Sequence, residues 1–261
     1  MGEPLPPVWR LLQTEPRSGA DNKALDHALM RYAARTGHGV LRVYSWRTPT
    51  ISLGRHQRSA DVIDAARAAT LGLDVVRRPT GGRAVVHGRE VTYSVAAPAR
   101  PGAITRDDYA QINRILLDGL RRLGADATLA ARGTARAPRP HGSPCFDTAT
   151  EGEIVIQGRK LAGSAQWRDG DALLQHGSIL IDDDQSLLAP PIADAGTPGT
   201  ATLRAALGHA PSAGDVAHAL FDAVHALADP TATCLEPDDE LRDATNQLRI
   251  QYADPAWTWR R

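Results

Sequence analysis

Apolar residues recur along the chain in two periods, and the switches between them mark out its elements. Leu25, Ala28, Leu29 and Tyr32 repeat at helical spacing, which predicts a helix over 22–36 with Asp21 or Asn22 as its N-cap and Gly37 at its end. A second helix is predicted over 106–123, where Tyr109, Ile112, Ile115, Leu116 and Leu120 share a face and Gly124 follows, and residues 61–71 also read as helical. Trp9, Leu11 and Leu12 suggest a short first strand. Residues 40–46 alternate as a half-buried strand does, with 50–54 as its partner across the Thr48-Pro49 turn. Strands at 74–78, 83–87 and 91–97 follow, and Gly81, Gly82 and Gly88 supply the positive φ their turns need. Residues 153–157, 159–167 and 172–181 read as an antiparallel meander turning at Gly158 and at Asp169-Gly170. Residues 130–144 have no period and read as a loop. From 184 onward the pattern is helical, broken at Pro190, Pro191, Pro198, Pro211 and Pro230, and 197–252 reads as three helices.

Antiparallel strands interleaved with long helices predict an α+β fold of mixed, largely antiparallel sheets flanked by helices, and disfavour a doubly wound parallel sheet. The expected organisation is one domain over 1–261 with a helical C-terminal segment, 184–252. At 42% hydrophobic residues a chain of 261 can bury a full core. Lys plus Arg equals Asp plus Glu at 30 each, so no global field recruits nucleic acid or an anionic membrane. The two cysteines, Cys145 and Cys234, lie far apart; that disfavours a disulfide and fits a reducing cytoplasm. No signal peptide and no stretch of about 18 consecutive apolar residues is seen, so a cytoplasmic location away from membranes is expected. Neither GxGxxG nor GxxxxGK[ST] occurs, which disfavours the common nucleotide folds.

The candidate chemistry centres on Cys145, in HGSPCF at 141–146, and on Lys160, in GRKLAGSAQ at 158–166. A thiol needs a nearby cation to be reactive at neutral pH, and a cysteine followed by a lysine among glycines suggests acyl transfer through a thioester. Gly163 and Ser164, with Gly158, would let a backbone approach a ligand closely. Gly81 and Gly82 would close a loop over an acyl carbonyl, flanked by Arg78 and His87 as pocket-lining candidates. His176 lies mid-strand, where a satisfied core histidine is the commoner case. Leu53, Val85, Val95 and Ala165 could line an acyl chain, and each is equally explained as core. Arg77, Arg78, Arg83 and Arg89 suggest one basic patch, Arg132, Arg136 and Arg139 another. The spacing of Cys145, His87 and His176 matches no zinc pattern, so no metal is expected.

RRPTGGRAVVHGREVTYSV at 77–95 resembles the central signature of the biotin and lipoate protein ligase fold. The likeness extends in order to DNKALDHALM at 21–30, LRVYSWRTPTISLGRHQ at 41–57, GRKLAGSAQ at 158–166, LLQHGSILI at 173–181 and QYADPAWTW at 251–259. Within that superfamily the chain is most similar to octanoyltransferases of the lipoate-protein ligase A-like branch, through Arg83 after the glycine pair and Cys145 upstream of EIVIQGRKLAGSAQ. The resemblance implies that Cys145 accepts an octanoyl group from acyl carrier protein and passes it to a lysine of a lipoyl-domain protein such as glycine cleavage H protein. It implies catalytic roles for Cys145 and Lys160, and substrate binding by Arg78, Gly81, Gly82, Arg83, His87, Gly163, Ser164 and His176. A thioester is already activated, so no cofactor and no ATP are expected. An ATP-dependent lipoate ligase, an amidotransferase between lipoyl domains and a non-catalytic acyl-binding protein remain the alternatives.

Overall fold

The computed structural model describes residues 6–99, 105–131, 149–182 and 200–260. In chain order its first elements are β1 (Trp9–Gln13), α1 (Gly19–Thr36), β2 (Gly39–Tyr44), β3 (Thr50–Leu53), α2 (Ala65–Thr70), β4 (Asp74–Arg77), β5 (Val85–His87) and β6 (Glu90–Pro98). Then follow α3 (Thr105–Arg122), β7 (Thr128–Leu129), β8 (Ile154–Ile156), β9 (Arg159–Lys160), β10 (Ala162–Asp169) and β11 (Ala172–Leu180). The last are α4 (Leu203–Leu207), α5 (Ala213–Leu227), β12 (Thr233–Cys234), α6 (Asp239–Ala253) and α7 (Pro255–Thr258). Six strands form the main sheet in the order β10-β11-β6-β2-β1-β12, and two three-stranded sheets, β4-β3-β5 and β7-β8-β9, flank it. β1 runs parallel to β2 and β12, while the other neighbours in the main sheet are antiparallel. The α+β expectation holds.

Strand alternation gives the main sheet two different faces. Leu41 and Val43 of β2 and Val91, Tyr93 and Val95 of β6 point to one side, where they pack with Ile112, Leu116 and Leu120 of α3 and Leu220 and Val224 of α5. Each such side chain contributes about 1.5–3 kcal/mol on burial. The two helices approach closely at Gly119, where a Cβ would stand 2.6 Å from Leu220 Cδ2. On the opposite side the register aligns Ala165, His176, Ser94 and Arg42 in one row across four strands. α1 covers that row.

Several sequence expectations need correction. The N-cap of α1 is Ser18, not Asp21 or Asn22, because its hydroxyl accepts from the Asp21 N–H. β2 is buried along its whole length rather than half-buried, since helices cover both faces. Its expected partner, β3, lies instead in the second sheet between β4 and β5. Of Gly81, Gly82 and Gly88, only Gly82 has a positive φ. The strand expected over 159–167 breaks at Leu161 into β9 and β10, so the meander spans two sheets. Its first turn, Gln157-Gly158, has positive φ at both residues, the geometry of a type I′ hairpin. Within 197–252 the three expected helices occur as α4, α5 and α6, but β12 intervenes to pair with β1. The expected loop over 130–144, apart from residues 130 and 131, and the first part of the helical segment, 184–199, lie outside the described residues.

Candidate active site

The row across the sheet is polar, and so is the side of α1 that meets it. Asn22, Lys23 and Asp26 are buried along with their apolar neighbours. Asp26 is the hub: its Oδ1 accepts from Arg42 Nη1 at 2.7 Å and Ser94 Oγ at 2.9 Å, its Oδ2 from the Tyr44 hydroxyl at 2.7 Å and Lys23 Nζ at 3.1 Å. With His176 Nδ1 also 3.4 Å from Oδ2, both oxygens of the carboxylate are crowded with partners. Lys23 Nζ also meets the Tyr44 hydroxyl at 2.8 Å and His176 Nδ1 at 3.3 Å, and lies over the Trp46 ring. Burial alone would raise Asp26, but Lys23 and Arg42 outweigh it and hold the carboxyl well below its usual range. Burial lowers Lys23 despite the Asp26 carboxylate. It also drives His176 down to about 3, with Lys23 adding to the effect. A neutral His176 accepts from Lys23 at Nδ1, which leaves Nε2–H to donate to Thr80 Oγ1 at 2.7 Å.

A pocket opens beside this network. Arg78, Gly82, Val85 and His87 line it, with Gly163, Ser164, Ala165, His176, Gly177 and Ser178 of β10 and β11, and its most deeply buried lining residues are Lys23, Ser52 and Thr92. The mouth is formed by Gly82, which is exposed, and by half-buried Ser164, Ala165 and Gly177. Close backbone approach shapes it. A Cβ on Gly54 would stand 1.9 Å from the Gly82 carbonyl oxygen, and one on Gly177 2.3 Å from that of Gly163, so glycine is required at both positions. Arg78 fixes the glycine loop from beneath, donating from Nη2 to the carbonyls of Gly81 at 2.9 Å and Arg83 at 2.6 Å, and from Nη1 to that of Ser52 at 2.7 Å. His87 stacks on Trp46 with centroids 4.0 Å apart and bonds to Ser52 Oγ at 2.7 Å. Burial lowers its pKa, against the pull of Glu90.

The pocket thus gathers Arg78, Gly82, His87, Gly163, Ser164 and His176 from the sequence candidates, with Gly81 and Arg83 present through carbonyls that Arg78 holds. Val85 and Ala165 line it as expected; Leu53 and Val95 do not, because each is packed in an apolar cluster. Arg77 and Arg78 form no surface patch. Both are buried, and Arg77 donates to main-chain carbonyls of Gly54, Gln57 and Thr258. Cys145 and the basic run Arg132, Arg136 and Arg139 lie outside the described residues.

Lys160, on β9, is buried but is not among the residues lining this pocket. Its Nζ donates to Glu153 Oε1 at 2.8 Å, and Glu153 Oε2 accepts from the Thr150 N–H at 2.8 Å. Sequence reasoning passed over Glu153, Lys23, Asp26 and Arg42. The available signal was a lysine and an aspartate three apart among Ala24, Leu25, Ala28 and Leu29, and an arginine inside the apolar run VLRVY.

Residues 18–224 match the model of the lipoyl protein ligase A/B catalytic domain. The chain is 38% identical to octanoyltransferase LipM of Kyrpidia tusciae over 97% of its own length and 99% of that protein's. Its fold resembles the bi-partite lipoate protein ligase of Thermoplasma acidophilum, with a TM-score of 0.77 at 21% identity, covering 97% of this chain and 96% of that one. A lipoate-protein ligase A solved with ATP gives the same score and identity over 97% and 98% of the two chains. Those two likenesses speak for the fold; with the family match and the full-length relative beside them, the chain belongs to the lipoyl protein ligase A/B catalytic-domain family.

Proposed function

We propose that this protein is an octanoyltransferase of lipoate biosynthesis. It takes octanoyl from acyl carrier protein and delivers it to a lysine of a lipoyl-domain protein. The observation that carries this reading is the relationship, over nearly the whole of both chains, to octanoyltransferase LipM.

In the first step the Cys145 thiolate attacks the carbonyl of the donor thioester, and the carrier's sulfur leaves as the acyl-cysteine forms, taking a proton from the Lys160 ammonium to become a thiol. In the second the acceptor amine attacks that carbonyl; the C–S bond breaks, the amide forms, and the amine's proton goes to Lys160 as the Cys145 thiolate is restored. Lys160 stabilises the thiolate and then serves the proton transfer, and Glu153 holds its ammonium in place. The pocket between the glycine loop and β10 receives the alkyl chain. Its polar groups support that role because they are already engaged: His87 with Ser52, His176 with Thr80, Thr92 with Glu90, and Ser164 with Tyr93. An entering chain therefore meets Val85, Ala165 and glycine surface without breaking hydrogen bonds.

Energy comes from the donor thioester, so neither ATP nor another cofactor takes part, although the same fold serves a ligase that binds ATP. Both partners are carrier proteins, and the reaction belongs to the cytoplasm. No helix among the described residues is long and apolar enough to cross a membrane.

Intact-mass analysis tests the reading. Octanoyl-acyl carrier protein, without ATP or magnesium, should add one octanoyl mass to Cys145; adding acceptor should clear it, and Cys145→Ala should abolish transfer with the fold intact. Acceptor modification only from free acid and ATP, with no acyl mass on Cys145, would assign the protein as a ligase.

A further inference from the structure

The base of the pocket has a feature that octanoyl transfer does not itself require. Burial deepens from exposed Gly82 and half-buried Ser164 and Ala165 at the mouth to Lys23, Ser52 and Thr92, each only 1% exposed. Lys23 is thus, with Ser52 and Thr92, among the least exposed of the residues that line the pocket. An ammonium has three N–H donors, and the three partners within reach are Asp26, Tyr44 and His176, at 3.1, 2.8 and 3.3 Å. The ammonium also faces two adjacent rings, with Nζ 5.0 Å from the Trp46 centroid and 5.4 Å from that of Tyr44. Such a group is tied down on every side. It cannot swing away as a methionine or leucine could, because moving would strand a buried cation and unpair part of the Asp26 hub.

We infer that Lys23 is the stop that ends the acyl pocket and sets the longest chain the enzyme accepts. This rests on the reading of the pocket as the acyl site. A chain short enough to end above Lys23 leaves the network untouched. A longer one must either displace the ammonium from its three partners or leave methylenes outside in water. In an unyielding pocket each misplaced methylene costs roughly tenfold.

The test measures the rate of acyl-Cys145 formation with hexanoyl-, octanoyl-, decanoyl- and dodecanoyl-acyl carrier protein in wild type, Lys23→Ala and Lys23→Met. Wild type should fall by at least about tenfold from octanoyl to dodecanoyl. Both variants should narrow that gap by about tenfold, Lys23→Met because an unanchored thioether yields to the chain. Equal rates with octanoyl and dodecanoyl donors in wild type would overturn the inference without any variant. So would an unchanged ratio in Lys23→Ala, or a Lys23→Met that keeps wild-type selectivity, since bulk rather than anchoring would then set the limit. If Cys145 takes acyl mass from no carrier donor, the transferase reading fails; the same ratios measured with free acids and ATP then decide the role of Lys23 independently.

Discussion

The two faces of the six-stranded sheet are buried about equally well by opposite means. Toward α3 and α5, Leu41, Val43, Val91 and Val95 meet leucines and isoleucines in a continuous apolar cluster. Toward α1, the alternate residues of the same strands are Arg42, Tyr44, Thr92 and Ser94, closed over by Lys23 and Asp26. The first face gains from removing hydrocarbon from water, which is tolerant of small changes. The second survives only because each charge has its partners. The pocket lies on the second face, so the part of the molecule that binds is also the part that tolerates least rearrangement.

The sharpest way to break this comparison is to remove one hub from each face. Asp26→Ala leaves Lys23 and Arg42 buried without their carboxylate, and should cost about 3–5 kcal/mol together with most of the acyl-enzyme formation. Leu220→Ala on the other face should cost about 3 kcal/mol through the cavity it opens, yet leave acyl-enzyme kinetics nearly unchanged below the melting temperature. Denaturant titration beside a burst assay measures both. Equal losses of activity from the two variants would mean that the faces are not separable.

A smaller effect follows from pH. Burial holds His176 at about 3 and His27 at about 4, against a usual value near 6.5. Between those limits the unfolded chain binds protons that the folded chain does not. Stability is therefore full above about pH 6.5 and falls as pH drops toward 3. Asp26, depressed in the fold, adds a loss of the same sign below about pH 4. Denaturation at pH 7.5 and 4.5 should differ by on the order of 2 kcal/mol from His176 alone, and His176→Gln should flatten that slope. The smallest expected change is Ser18→Ala, about 1 kcal/mol from the lost N-cap of α1; thermal melting resolves it.

Much of this architecture is legible in the sequence where period and burial agree. The runs that became β2, β6 and β11 announce themselves through alternation, and α3 through Ile112, Leu116 and Leu120. Alternation says which residues share a face but not which strand lies alongside. For that reason Ile51 and its neighbours were expected beside β2 rather than between β4 and β5. β12 has two residues, too few to carry any period. The candidate site divides in the same way. Glycines and histidines around 78–87 and 163–176 are visible as motif residues. Lys23, Asp26 and Glu153 are not, because a charged residue is ordinarily solvated and only tertiary structure reveals that these have traded water for one another.

Arg77 and Arg78, adjacent on the chain, tie together stretches that are synthesised far apart in time. Arg78 secures the glycine loop, while Arg77 is satisfied largely by carbonyls of Trp257, Thr258 and Arg260, some 180 residues downstream. Ribosomes add roughly 5–20 residues each second, so for about 10–40 s a nascent chain carries β4 with the Arg77 cation met only by carbonyls upstream of it, those of Gly54 and Gln57. The strand that leads into the glycine loop is thus secured late, by a clasp made from residues 257–260. A chain stalled before residue 257 would display every residue that lines the pocket, with Arg77 still lacking half of its acceptors.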